Sequence, residues 1–177
     1  MITDILYRCP ECGGFEWLIG NRCKHCGVGV EILSRQMVAI NGRVESIAHW
    51  YQKVRGQALL QNVAGELLNS RRIKLSREIE KGSYKGLSGI HAVQYGRQSL
   101  AEGKIILHRD KLVFHGPSMK ISIHFERVSS VTIESNTVIL DRKGGRRALY
   151  FDFQEESGKK WEDCIHFQPG RNRRVLS

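Results

Sequence analysis

The chain has 177 residues, of which 41% are hydrophobic and 26% charged, and its formal net charge is +10. A chain of this length and composition can fold as one domain or as two small ones. No segment approaches the roughly 18 consecutive apolar residues of a membrane span. The first residues also lack a basic stretch followed by an apolar one, which disfavours a signal peptide and predicts a cytoplasmic location.

Four of the five cysteines lie in the first 26 residues. They form two pairs in which two residues separate the thiols, so one tight turn can aim both sulfurs at the same point. Gly13 and Gly27 follow the pairs and permit the positive φ that such a turn uses. Two pairs complete a tetrahedral thiolate set that leaves no position for water, as in structural rather than catalytic zinc sites. We therefore predict a zinc ribbon over residues 1–40, with Zn²⁺ bound by Cys9, Cys12, Cys23 and Cys26.

Two alternatives stay open for these cysteines. A pair of disulfides would need an oxidising compartment, which the lack of an export signal disfavours. An iron site of rubredoxin type uses similar cysteine pairs, although they are normally much further apart. His25 lies inside the second pair, but four thiolates already fill the metal shell, so we expect it outside the ligand set. Phe15 and Trp17, on a short strand between the pairs, are expected to cover the metal.

The distribution of charge bears on nucleic-acid binding. Residues 1–40 carry four basic and four acidic side chains, residues 41–100 carry ten and four, and residues 101–177 carry fourteen and ten. Four thiolates around one divalent cation would make the ribbon mildly acidic. It therefore lacks the positive field with which a zinc module neutralises phosphates, and we expect at most weak, non-specific binding of nucleic acid.

Residues 41–89 are predicted to be a helical connector followed by a basic loop. Asn41 and Gly42 indicate a turn, and from Ser46, a candidate N-cap, apolar residues recur at a helical spacing to about Asn69. We expect this helix to pack against a neighbour, and a helix lying on a membrane surface is the alternative. Residues 70–89 are basic and rich in glycine, which favours a strand or linker followed by an exposed loop.

Residues 90–177 contain short alternating segments separated by turn residues, which predicts six or seven antiparallel strands. Arg109 and Asp110 mark one hairpin. Residues 155–167 follow a helical pattern with Trp161 and Cys164 toward one side, and Cys164 is expected to be buried. The predicted fold class is α+β: a small N-terminal zinc ribbon, a linking helix, and an antiparallel β-barrel or sandwich capped by a C-terminal helix.

Residues 90–177 resemble the pleckstrin-homology superfold in its GRAM-like variant, through the strands at 102–105 and 111–114 and the closing helix with Trp161. The order of a zinc ribbon, a helix containing Trp50 and Tyr51, and a GRAM-like domain resembles the C-terminal extension of certain bacterial 1-acylglycerol-3-phosphate acyltransferases. The resemblance implies a role in bacterial phospholipid synthesis, at or near the inner membrane face. It also implies a partner that is either a protein, such as an acyltransferase, or an anionic lipid headgroup.

The resemblance does not extend to catalysis. Those acyltransferases pair a histidine with an aspartate five positions later, and none of the seven histidines here is followed by aspartate at that spacing. No phosphate-binding loop, nucleophile elbow or dinucleotide fingerprint occurs either. We therefore predict a non-catalytic zinc-binding adaptor. Two alternatives are a nucleic-acid-binding or transcription-linked zinc-ribbon protein, and a separately encoded, non-catalytic part of an acyltransferase.

One predicted hairpin concentrates positive charge around Gly144 and Gly145. Its four cations are Arg142, Lys143, Arg146 and Arg147. In pleckstrin-like folds, basic loops at the rim bind phosphorylated headgroups, so the resemblance implies a lipid-binding hairpin here. Each cation near an anionic surface adds about 1 kcal/mol. The alternative is a solvated hairpin whose charges keep an exposed sheet edge soluble.

Overall fold

The computed structural model describes residues 2–56, 66–86, 89, 91–144 and 146–168, with the side chains of Glu66 and Arg146 excepted. The chain forms two compact units, residues 1–60 and 61–177, called here the N-terminal and C-terminal units. Strands predominate and helices are few, which confirms the α+β class in broad terms. Within the described part of the chain, no helix combines the length and apolar character needed to cross a bilayer.

The N-terminal unit is built from very short elements. They are helix α1 (Ile2–Ile5), a hairpin of β1 (Leu18–Ile19) and β2 (Arg22–Cys23), a sheet of β3 (Val30–Ile32), β4 (Met37–Ile40) and β5 (Arg43–Ser46), and helix α2 (Ile47–Gly56). The turn between β4 and β5 is the predicted one, because Asn41 and Gly42 both have positive φ, at 53° and 75°. This conformation matches the right-handed twist of a hairpin.

Helix α2 belongs to the N-terminal unit. Its N-cap is confirmed, since the Ser46 hydroxyl accepts a hydrogen bond of 3.1 Å from the His49 amide. Trp50 and Val54 are fully buried in the same apolar cluster as Cys9, and the Trp50 indole donates to the carbonyl of Val38 at 3.1 Å. The predicted extension to Asn69 is wrong: α2 ends at Gly56, residues 57–65 lie outside the described part, and a strand occupies residues 66–85.

The C-terminal unit is one curled antiparallel sheet, a half-barrel, followed by a helix. Its strands are β6 (Glu66–Lys85), β7 (His91–His108), β8 (Lys111–His115), β9 (Lys120–His124), β10 (Val128–Glu134), β11 (Thr137–Arg142) and β12 (Arg146–Phe153). They lie side by side in the order β10-β11-β12-β6-β7-β8-β9. The predicted hairpin at Arg109 and Asp110 is confirmed, because Leu107 pairs with Leu112 across it.

Strand β6 corrects the predicted connector. It pairs with β12 from Ile73 to Arg77 and with β7 along its whole length, so it lies in the middle of the sheet. Ile73 and Leu75 point into the core and are at most 1% exposed, while Lys74 between them points outward and is exposed. The basic character of residues 70–89 hid this alternation, and the C-terminal unit therefore includes a strand that lies before residue 90.

Helix α3 (Gly158–His166) closes the C-terminal unit against β10 and β11. The Asn136 amide donates to the carbonyls of Phe153 and Glu156 at 2.6 and 2.8 Å, and its side-chain oxygen accepts from the Gly158 amide at 2.6 Å. Trp161 is fully buried with its ring 5.2 Å from that of Phe153. The expected burial of Cys164 is confirmed.

Candidate metal centre

Two matching turns position the four N-terminal cysteines. In the first, the Gly13 amide donates to the carbonyl of Cys9 at 2.8 Å, and in the second, the Gly27 amide donates to that of Cys23 at 2.9 Å. Gly13 and Gly27 have φ values of 73° and 75°, a region that costs glycine little. The repeated turn aims the two sulfurs of each pair in one direction, as the spacing predicted.

The sulfur atoms of the two pairs meet at one point. All four lie within 4.8 Å of one another, and the distance is 3.8 Å from Cys9 Sγ to Cys26 Sγ and from Cys12 Sγ to Cys23 Sγ. Cys9 and Cys23 are buried, whereas Cys12 and Cys26 are exposed. The site therefore has one side in the core of the unit and one side at the surface, and it can hold a metal ion.

The two buried thiols differ in acidity. Burial raises the pKa of the Cys9 thiol well above its ordinary value. Burial also acts against ionisation of Cys23, but hydrogen bonds to its sulfur from the amides of Cys26 and His25 outweigh it and lower the pKa of Cys23 to about 6. Backbone amides aimed at sulfur stabilise the thiolate, which is the form that binds metal.

Aromatic residues pack in the apolar cluster that contains two of the four cysteines. Trp17 is fully buried in the cluster that holds Cys9 and Cys23, and its indole donates to the Leu6 carbonyl at 2.6 Å. Phe15 packs partly buried against that cluster, with its ring stacked on Tyr7 at a centroid distance of 6.3 Å. The burial of Trp50 in the same cluster was not predicted, since α2 was expected to be a connector outside the ribbon.

His25 lies outside the group of four potential ligands. Its Nε2 atom is 2.9 Å from the carbonyl oxygen of Phe15, and its ring contacts Gly14 so closely that any larger residue there would clash. The imidazole therefore holds the first turn against the second.

The predicted basic hairpin is only partly available to an outside ligand. Arg142 donates from Nε and an Nη to the carbonyl of Arg147 at 3.0 and 2.7 Å. Arg147 in turn lies 3.6 Å from a carboxylate oxygen of Glu80 on β6. Lys143 is exposed, and the side chain of Arg146 is outside the described residues. Its role as a lipid site stays a prediction.

Sequence reasoning missed a second feature, a projecting hairpin. Residues 78–85 of β6 and 91–97 of β7 pair with one another beyond the points where the neighbouring strands end, and we call this segment the arm. Tyr84, Val93 and Tyr95 on the arm are 64%, 40% and 57% exposed. The available signal was the apolar alternation of Val93 and Tyr95, which predicts a strand but does not show that the strand extends beyond its neighbours.

Comparisons with known proteins do not identify the chain. No family model matches it, and no curated protein matches it either. A solved structure with some similarity belongs to "The 8S snRNP Assembly Intermediate", at 15% sequence identity and a TM-score of 0.38, covering 60% of this chain and 88% of that one. A likeness of this size carries no argument about fold or function.

Proposed function

We propose that the four cysteines bind one structural Zn²⁺ ion and that the chain is a non-catalytic adaptor. The observation that carries the proposal is the convergence of four thiols within 4.8 Å. A Zn–S bond of about 2.3 Å places sulfurs at adjacent corners of a tetrahedron about 3.8 Å apart, and both measured pairs are 3.8 Å apart. When bound, the metal supplies folding free energy to the N-terminal unit.

The donor set supports a structural rather than a catalytic ion. Catalytic zinc has three protein ligands and an open position for water, whereas four thiolates close the shell. A pair of disulfides fits less well, because a disulfide needs sulfurs about 2.05 Å apart. Iron would suit the same four thiolates, and metal analysis distinguishes it from zinc.

The C-terminal unit is proposed as the binding part of the adaptor. Seven antiparallel strands followed by one helix support the interpretation as a pleckstrin- or GRAM-like domain, and the basic hairpin supports an anionic ligand. A cytoplasmic location, a peripheral position at the inner membrane face, and a link to a phospholipid acyltransferase are parts of the same proposal. The nucleic-acid alternative has less support, because residues 1–40 carry equal numbers of acidic and basic side chains.

Metal analysis of the full chain tests the proposal. We expect one zinc per chain in protein purified under reducing conditions, and titration with a thiol reagent should release it with the loss of four thiolates. Iron in the purified protein, or a folded N-terminal unit that contains no metal, would overturn the zinc assignment.

A further inference from the structure

Three neighbouring strands share one short sequence pattern. Residues 104–108 of β7, 111–115 of β8 and 120–124 of β9 read KIILH, KLVFH and KISIH. Each segment begins with lysine, ends with histidine and has apolar residues in its second and fourth positions. Side chains alternate along a strand, so the apolar residues point into the core and the lysines and histidines point to the opposite side. We call the outward side of these three segments the cationic face, and none of its nine positions is acidic.

The antiparallel register sets lysine opposite histidine on this face. Lys104 pairs with His115, and His115 pairs with Lys120. We call these three residues the Lys–His–Lys row. At the other end of the pattern, the face carries His108, Lys111 and His124. There Asp110 lies 3.6 Å from the His124 ring and offsets part of the charge.

The Lys–His–Lys row is not neutralised by the protein itself. Among the described residues, neither Lys104 nor Lys120 forms an ion pair, and both are exposed. Glu102 lies two positions before Lys104 on the same face, but its carboxylate pairs with Lys74 at 3.8 Å. Adjacent strands are about 4.8 Å apart, so the flexible amines of both lysines can converge on one anion above the row.

His115 occupies the middle of the row. Partial burial lowers its pKa, and the nearby Lys120, Lys104 and His108 lower it further. An anion bound above the row would favour the protonated ring and raise this pKa again. Anion binding at the row is therefore coupled to the uptake of a proton, and it becomes stronger as the pH falls.

Protection of a sheet edge does not explain the pattern. Lysine on an edge strand discourages pairing with other chains, which would account for Lys120 because β9 is the last strand of the sheet. Strand β8 has a neighbour on each side and carries the same pattern. The repetition on all three strands therefore favours a binding surface.

The cationic face offers charge but no apolar or aromatic anchor. Its apolar outward residues, Ile106 and Val113, are only 8% and 4% exposed, and none of its nine positions is aromatic. Single-stranded nucleic acid is bound through rings on which bases stack, and the centres of protein interfaces are rich in Trp, Tyr and Arg. An anionic membrane requires only exposed cations.

We propose that the cationic face binds an anionic membrane, with lipid phosphate groups in contact with Lys104, His115 and Lys120, and that binding strengthens as the pH falls. The inference deepens the lipid version of the proposed adaptor and rests on it. It assigns membrane contact to a surface other than the basic hairpin. A membrane presents many phosphates at once, so a dissolved phosphate ester should bind far more weakly.

Sedimentation with vesicles tests the proposal on the full, metal-loaded chain. Vesicles that contain phosphatidylglycerol are anionic at both about pH 5.5 and about pH 7.5, values on either side of the ordinary pKa of histidine, and phosphatidylcholine vesicles are the neutral control. We expect binding to the anionic vesicles only, about fivefold stronger at the lower pH because His115 then adds one charge. Glycerol phosphate at about 1 mM should not displace the protein.

Matched variants assign the effect to the row. Lys104→Gln combined with Lys120→Gln should weaken binding by about tenfold to thirtyfold. Arg35→Gln combined with Arg43→Gln removes the same charge from exposed positions of the N-terminal unit and should change binding by less than about twofold. His115→Gln should remove most of the pH dependence and leave the affinity at about pH 7.5 unchanged. Equal losses in the two double variants, or full pH dependence in His115→Gln, would overturn the proposal.

The same measurements separate this inference from the adaptor function. If the wild type and the Lys104/Lys120 double variant bind anionic vesicles equally, the inference is wrong, but the lipid version of the adaptor stands through another surface. If the wild type binds no vesicles at either pH, both fall and the protein-partner version remains. Tighter binding of a DNA duplex at the same phosphate concentration would overturn the choice of a membrane.

Discussion

The two units of this chain differ in what stabilises their folded state. The strands of the N-terminal unit are two to four residues long, and two of the four proposed metal ligands, Cys9 and Cys23, are part of its small core. The C-terminal unit has strands of up to 20 residues and buries several large apolar side chains, including Phe114, Phe151 and Trp161. A unit of about 60 residues buries too little surface to be robust without help. We propose that a metal ion supplies that help in the N-terminal unit, whereas long-range strand pairing makes it unnecessary in the C-terminal unit.

Loss of the metal should have the largest effect, because we expect it to unfold the N-terminal unit and to leave the C-terminal unit folded. With Cys9→Ser, or after chelation, we expect the amides of residues 2–56 to lose protection from hydrogen exchange, because structural zinc contributes about 10–16 kcal/mol in zinc-finger peptides. The amides of the C-terminal unit should keep their protection.

Cys164→Ser is the matched control, since Cys164 is buried in α3 and is not one of the four grouped cysteines. It should leave the metal content at one ion per chain. Protection of the N-terminal amides that survives chelation would show that the unit does not depend on metal.

The second largest effect concerns the boundary of the C-terminal unit. A fragment of residues 61–177 should fold cooperatively, whereas residues 90–177 should not, because β6 joins β12 to β7 in the middle of the sheet. Circular dichroism and denaturant titration of the two fragments measure this difference. A cooperative transition in the shorter fragment would mean that β6 is dispensable.

Trp50→Ala tests whether α2 is part of the N-terminal unit. Trp50 is fully buried and its indole donates to Val38, so we expect a loss of about 3–5 kcal/mol in the free energy of unfolding of that unit only. Gln52→Ala, at an exposed position of the same helix, should change it little. Equal effects of Trp50→Ala on both units would contradict the division of the chain at residue 60.

Asn136→Ala should weaken the attachment of α3 by a smaller amount. The change removes three hydrogen bonds, to Phe153, Glu156 and Gly158, which predicts a loss of about 1–3 kcal/mol in the C-terminal unit. Denaturant unfolding measures it, with the exposed Ser135→Ala as control. An unchanged midpoint would show that solvent replaces these bonds at no cost.

The smallest expected effect belongs to the basic hairpin. Changing Arg142, Lys143, Arg146 and Arg147 together to glutamine should reduce sedimentation with anionic vesicles and leave neutral vesicles unaffected. Because Arg142 and Arg147 already have partners within the protein, less than the full value of about 1 kcal/mol per cation is available. Equal binding of both proteins to anionic vesicles would exclude the hairpin as a lipid site.

The features that the sequence predicted correctly are local ones. The spacing of the cysteines, the turn at Asn41 and Gly42, and the cap at Ser46 each depend on a few consecutive residues, so a pattern can reveal them. A strand or linker was predicted within residues 70–89, but the length of β6 and its place in the middle of the sheet were not, because basic residues interrupt its apolar pattern and its partner Phe153 lies 80 positions after Ile73. The burial of Trp50 and the free edge of the arm depend on where other helices and strands begin and end. A pattern of a few consecutive residues cannot predict this.

The central place of β6 has a consequence for the timing of synthesis. The N-terminal unit has been translated completely once residue 60 is made, but the pairing of Ile73 with Phe153 must wait until the last strand has been made. At about 5–20 residues per second, the edge of β6 stays unprotected for roughly 4–15 s on the ribosome, with the apolar side chains of Ile73 and Leu75 uncovered. Nascent chains are therefore most vulnerable to association with one another, and most in need of a chaperone, while residues 78–153 are being translated.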